Sequence, residues 1–375
     1  METAAGAGVS CVAGPVRLSP FAATRLSAAR VGDPASARLL ARPHRAVADR
    51  IQRWRRLGNL TQDAEPALYL HEYTSQGLTV RSVVGLLALD HSTEDPSSAA
   101  VLPHEDVDPL QALELAGRMQ VMGVNPAPIL LVHRGSLPYA ALIATLTSGP
   151  PALEYVDRAG QAHRFWDLHD PLAIDALRTA LAPARLIVAD GHHRLAAYQQ
   201  LQRELPGTGW DRGLAMIVDQ TDTPLFLGAI HRVVRGLPLK VALRAVRESG
   251  VGELRPVPVT HQLQALDATT LVLTDGTAAW ALALHPSDDE VPVEALHRRV
   301  LPMAPPHAVE YHHSVEATLK GLRPPGRGDE PRVGVLVPAL SYDALDAVLT
   351  GGRRLPEKAT SFQPKPSIGT IMRTL

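Results

Sequence analysis

Five consecutive residues carry the densest chemistry in this sequence, Asp190-Gly191-His192-His193-Arg194. Leu186-Ile-Val-Ala189 runs into them as a short apolar strand, and Leu195 to Leu205 runs out as an amphipathic helix. A helix start presents free N–H groups and the positive end of the helix dipole. Gly191 lets the chain turn sharply and lets a ligand come close to the backbone. His192, His193 and Arg194 add donors at the same end, and Asp190 could cap the helix, orient a histidine or bind Mg²⁺. An isolated Asp-Gly-His would read as a helix cap. Packed between a buried strand and a helix, the five read as an anion cradle with a carboxylate beside it.

Other groups could join them. Pro103-His104-Glu105 precedes a helix, and Glu105 is either a general base, a metal ligand or a solvated loop carboxylate. His71-Glu72 lies in a strand, where alternation turns one of the pair inward. His231-Arg232 follows an apolar strand and could reach the same site, whereas His312-His313 reads as surface. Lys240, Lys320, Lys358 and Lys365 are the only lysines, every other basic residue of the 37 being arginine. Two of the four fall between Pro356 and Lys365, where Lys358, Thr360 and Lys365 could fold back onto a phosphate; the plainer reading is a tail that covers a sheet edge. The 16 histidines show no zinc-ligand spacing, and P-loop, dinucleotide and nucleophile-elbow motifs are absent.

Periodicity supplies the elements that must hold these residues. Ala67 to Tyr73 and Arg81 to Leu89 read as strands joined at Ser75-Gln76-Gly77. Asp108-Pro109 opens a helix that runs to Met122 and ends at Gly123. Pro128 to Val132 is a strand, 153–156 and 163–166 form a hairpin around Ala159-Gly160, and Pro171 to Leu181 is a helix. Leu214 to Val218 is another strand, Val333 to Val337 a late one, and Tyr342 to Leu349 a helix before an irregular tail. The alternation predicts an α/β protein with α+β character and a mixed sheet. The expected organisation is an N-terminal arm with short elements over 1–60, a core over 61–236 and a C-terminal α/β lobe with a tail over 237–375.

Composition narrows the function classes. The chain has 375 residues, 45% hydrophobic and 20% charged, enough for a sizeable core. A net charge of -1 gives no overall basic field for nucleic acid or an anionic membrane. No apolar run approaches the roughly 18–20 residues of a membrane span. The single cysteine, Cys11, excludes an intrachain disulfide and fits a reducing compartment. Met1 to Gly14 lacks the basic region of a signal peptide, so the expected location is cytoplasmic. The oligomeric state stays open.

Taken in order, Leu102-Pro-His-Glu105, Asp190-Gly-His-His-Arg194, His231-Arg-Val-Val234 and Pro356-x-Lys358-x-Thr360-x-Phe362-x-Pro364-Lys365 resemble the domain-of-unknown-function family 1015, from about Arg17 to Thr370. The last motif is the most specific. Arg42-Pro43-His44-Arg45 stands where that family usually has Pro-Pro-Tyr-Asp, and Ala359 where it usually has Ser. The resemblance implies a ParB–sulfiredoxin-like core, the fold of free serine kinases, sulfiredoxins and CTP-binding partition proteins, with a nucleotide's phosphates on the turn at a helix start. Cys11 is far from the turn, which sets sulfiredoxin chemistry aside, and no helix-turn-helix or basic surface suggests a partition protein.

Two functions follow as expectations. One is a nucleotide-dependent phosphotransferase on a small hydroxylated metabolite, serine-kinase-like, using ATP or ADP or another nucleotide with Mg²⁺. Gly191, His192, His193 and Arg194 would clamp phosphate with Lys358, Thr360 and Lys365; Asp190 would serve Mg²⁺ or orient a histidine; Glu105 would be the base, so that Glu105, Asp190 and His193 form the catalytic set. The other is a nucleotide-binding regulatory or interaction protein with no transfer chemistry. A metabolite-binding scaffold without nucleotide is a third reading, kept open by the loop at Arg42 to Arg45.

Overall fold

The computed structural model describes all residues except 1–8, 42–46, 286–289 and 323–329. The chain divides into two compact units, Met1–Leu225 with Pro364–Leu375, and Phe226–Gln363. The division thus falls ahead of the expected boundary at 236, and the tail assigned to the second lobe belongs to the first unit. No helix among the described residues is long and apolar enough to cross a membrane.

The fold class is α/β with mixed sheets. The first unit is built on an eleven-stranded sheet among the described residues. Across its centre lie Leu78–Ala88, Arg212–Asp219, Ile129–His133, Leu186–Asp190 and Ala99–Pro103, side by side in that order. Leu186–Asp190 runs parallel to Ala99–Pro103 and antiparallel to Ile129–His133. Leu186, Ile187 and Val188 are almost wholly inaccessible, as a strand covered on both faces requires. The register pairs Val188 with Pro103, so the two parallel strands end together and release His104 and Gly191 at the same edge of the sheet.

Local chemistry explains the flanking elements. The Asp108 carboxylate accepts from the Leu110 N–H at 2.9 Å, Pro109 fills the first turn of Pro109–Met122, and Gly123 closes the helix at φ 60°. Ala112, Ala116, Met119 and Met122 form its buried face. That helix packs on His192–Glu204, which follows the Gly191 turn. Helix Leu137–Leu146, capped by Ser136, was not anticipated; its mostly apolar sequence has little amphipathic period to read. The tail is not wholly irregular, because Met372–Thr374 pairs with Ala23–Leu26 and Val124–Asn125 in a small sheet of the same unit.

The second unit carries a six-stranded antiparallel sheet in which His231–Arg235 lies between Arg332–Leu336 and Ala308–His312. Phe226–Ala229 pairs with Thr360–Gln363. Arg232 is fully buried there, donating to the carbonyls of Ile230 and Lys358.

Candidate functional site

The helix after Gly191 begins at His192, three residues earlier than its apolar periodicity predicts, so His192, His193 and Arg194 form its first turn. Gly191 is the N-cap at φ 92°, ψ 31°, a left-handed conformation that favours glycine. No side chain caps this helix, so Asp190 does not take the capping role open to it. The first-turn N–H groups lie at the end of a buried strand without a side-chain acceptor.

Asp190 is instead the centre of a charge triad. Its Oδ2 accepts from Arg194 Nη2 at 2.6 Å, and its Oδ1 accepts from the Lys365 ammonium. Burial alone would raise the Asp190 pKa, but the two cations and their hydrogen bonds outweigh it and hold the carboxyl well below the usual range. The triad therefore has two positive charges against one negative. Arg194 keeps an unpartnered Nε, and one carboxylate cannot use all of the donors on a guanidinium and an ammonium. A Cβ at residue 191 would lie 2.8 Å from Arg194 Nε, so glycine is needed for the guanidinium to fold back over the turn.

Beside the triad lies a pocket of about 330 Å³. Leu130, Met216, Ile368 and Ile371 give it apolar walls, and Asp190, Arg194 and Lys365 give it a charged end. This is the usual make-up of a small-molecule site, an apolar cleft with a few convergent polar groups. Nothing in the sequence marked Met216 or Ile368, whose apolar side chains are indistinguishable from core until the strands are placed.

The other side of the turn is a histidine cluster. His104 Nδ1 lies 2.6 Å from the Val188 carbonyl, which requires the proton on that nitrogen. His192 Nε2 is 3.2 Å from the same Nδ1 and so takes the acceptor end of a forked bond. Burial, then the neighbouring His104, push the His192 pKa down to about 3, although Glu105 and Asp190 oppose the shift. His192 is thus a neutral, buried ring stacked edge-on to His104. His193 Nε2 accepts from the Asp108 N–H at 3.2 Å, tying the turn to the start of Pro109–Met122. Glu105 Oε1 stands 3.4 Å from His104 Nε2, with its side chain one-tenth exposed.

The remaining expected site residues are divided between the two units. Lys365 belongs to the first unit and reaches Asp190, while Lys358 and Thr360 belong to the second. Lys358 has φ 56°, its carbonyl accepts from Arg232, and its ammonium lies over the Tyr311 ring at 4.9 Å. Thr360 is buried in the strand paired with Phe226–Ala229. His231 and Arg232 are likewise second-unit residues. Arg42-Pro43-His44-Arg45 lies outside the described residues. In the strand Leu68–Ser75 it is His71 that turns inward, fully buried, while Glu72 pairs with Arg81 and Arg164.

The expected Mg²⁺ ligand fits poorly. Both Asp190 oxygens are committed to cations, and no group of three or more acidic, histidine or cysteine side chains suited to a metal occurs among the described residues.

Comparison with known proteins places the chain. A C-terminally truncated SbnI from Staphylococcus aureus is 14% identical, with a TM-score of 0.43 over 76% of this chain and 85% of that one. A conserved hypothetical protein from Pyrococcus furiosus is 13% identical, TM-score 0.42, over 72% and 90%. A free serine kinase in complex with AMP is 13% identical, TM-score 0.42, over 72% and 88%. No curated protein matches. A family model described as protein of unknown function (DUF1015) matches residues 16–301, well over half of the sequence, and the chain belongs to that family.

Proposed function

We propose that the first unit binds a nucleotide at the Gly191 turn and that the protein is a nucleotide-dependent phosphotransferase acting on a small hydroxylated metabolite. The observation that carries the reading is the Asp190–Arg194–Lys365 triad, an excess of positive charge beside an apolar pocket and an uncapped helix start. In this reading the nucleotide's apolar-faced base enters the pocket. Its phosphates take the first-turn N–H groups and the spare donors of Arg194 and Lys365. Asp190 holds the two cations in register rather than binding a metal. His192 and His104 act behind the turn, fixing it, while His193 joins it to the next helix.

Transfer needs a base for the acceptor hydroxyl. Glu105 is proposed for this, because it leaves the sheet at the same edge as Gly191 and retains some exposure. The proton of the acceptor would pass to its carboxylate as the hydroxyl oxygen forms the new bond to phosphorus and the nucleotide leaves. ATP and ADP are the first nucleotides to test. Purified protein is incubated with nucleotide labelled in its terminal phosphate and a panel of hydroxylated metabolites, serine included. Label in an acceptor supports transfer. Tight nucleotide binding without label in any acceptor supports the second reading, a nucleotide-responsive regulatory protein. Absence of binding to any nucleotide contradicts both.

A further inference from the structure

Lys365 stands on irregular chain. The segment from Pro364 to Ile371 contains neither helix nor strand, yet it supplies one cation of the triad and one wall of the pocket. A lysine on such a segment loses the entropy of both backbone and side chain when it is held against a carboxylate. A site that uses it needs a rigid support behind the backbone.

That support is one amide side chain. Gln161 Nε2 donates to the Lys365 carbonyl at 2.9 Å, and Gln161 Oε1 accepts from the Ser367 N–H at 3.0 Å and from the Ser367 hydroxyl at 3.2 Å. The amide therefore grips the backbone on both sides of Pro366, immediately behind Lys365. Tyr73 adds a bond from its hydroxyl to the Pro364 carbonyl at 2.7 Å, and Leu26 N–H donates to the Gly369 carbonyl at 3.0 Å.

Gln161 is itself braced. It follows the turn of the hairpin formed by Leu153–Val156 and Ala162–Leu168. Asp157 Oδ1 accepts from the N–H groups of Ala159 and Gln161, which sets the turn. Asp157 Oδ2 lies 3.2 Å from His163 Nε2, and His163 Nδ1 lies 3.0 Å from His71 Nε2. An ionised Asp157 can only accept, so His163 donates to it from Nε2 and receives the His71 proton at Nδ1. Both imidazoles are fully buried in the sheet. A buried chain from His71 to Asp157 thus fixes the hairpin tip that carries Gln161.

We infer that Gln161 is the positioning residue for Lys365, holding the 364–371 segment over the pocket so that the ammonium meets both Asp190 and the ligand. The inference rests on the reading that this pocket takes a nucleotide.

The test is a double-mutant cycle read as ADP dissociation constants. Gln161→Met, Lys365→Met and the double variant are compared with the wild type, with Gln161→Glu as the conservative change. Loss of Lys365 should weaken ADP at least about tenfold, and Gln161→Met by a similar or smaller factor. The double variant should bind no worse than Lys365→Met alone, because Gln161 acts through that lysine. Gln161→Glu keeps the acceptor for Ser367 but loses the donor to Lys365, and should fall between wild type and Gln161→Met. Multiplying losses, or wild-type affinity in Gln161→Met, overturn the inference and leave the nucleotide reading standing. Wild-type affinity in Lys365→Met overturns that reading and the inference with it.

Discussion

The two sides of the Gly191 turn are built from opposite materials. On one side Asp190, Arg194 and Lys365 pair with one another and leave 27%, 23% and 37% of their side chains exposed. On the other, His104 and His192 are buried and His192 is neutral. The contrast is physical rather than accidental. A cation intended for a ligand must keep spare donors and a path to solvent, and an imidazole that fixes a turn gains from losing both. Two residues of one motif, His192 and Arg194, therefore meet different surroundings. Helical rotation separates them, and the strand Ala99–Pro103 supplies His104 to one side only.

Glu105 offers the sharpest way to break this division, since it is the one residue on the histidine side proposed to react. Glu105→Gln should lower phosphoryl transfer by about 10²- to 10⁴-fold, the usual worth of a general base, while ADP affinity is unchanged. Unaltered turnover would remove Glu105 from the mechanism and leave the histidine side purely structural.

Acid should act on the histidine side first. The folded His192 titrates near 3 and an unfolded histidine near 6.5. Between these values the unfolded chain binds a proton that the folded one refuses, so stability present above about 6.5 is lost progressively as pH falls. From pH 6.5 to 5 this one residue accounts for about 2 kcal/mol. The Asp190 carboxyl, also lowered but here by cations that favour its charged form, contributes stability that is lost only below the unfolded carboxylate pKa of about 3.9. Urea unfolding across this range checks the sign, and His192→Gln should flatten the slope. Parallel pH profiles for the variant and wild type would show that His192 is not held neutral.

A smaller effect separates conformational strain from ligand contact. Gly191 and Gly77 both have left-handed φ, 92° and 80°. Alanine at either should cost about 1–2 kcal/mol of folding stability. A Cβ at Gly77 meets nothing within 4 Å, whereas one at Gly191 displaces the Arg194 guanidinium. Only Gly191→Ala should weaken ADP binding as well. Equal affinities in the two variants would detach Arg194 from the ligand.

Much of the frame was legible before the structure. Asp108-Pro109 and Gly123 are strong start and stop signals, and the helix between them has the expected limits. The parallel end of Leu186–Asp190 and the crowded turn after it were likewise readable, because a buried apolar run and a glycine constrain the chain locally. Side-chain direction was not readable. Which of His192, His193 and Arg194 faces a ligand depends on where the helix starts, and periodicity placed that start at Leu195. The partner of Asp190 was hidden too, since Lys365 lies 175 residues away and its support, Gln161, is an ordinary turn glutamine in sequence. The presence of Lys358 and Lys365 in one motif gave no sign that the chain passes from one unit to the other between Gln363 and Pro364.

The central claim is that the charged side of the turn holds nucleotide phosphate, and equilibrium binding of ADP to wild type and Arg194→Ala tests it most directly, with His192→Gln as the control from the neutral side. The account predicts that Arg194→Ala weakens ADP by about 10- to 100-fold, the worth of a charge-assisted bidentate contact, while His192→Gln stays within a few-fold of wild type. Equal ADP affinity for wild type and Arg194→Ala would contradict it.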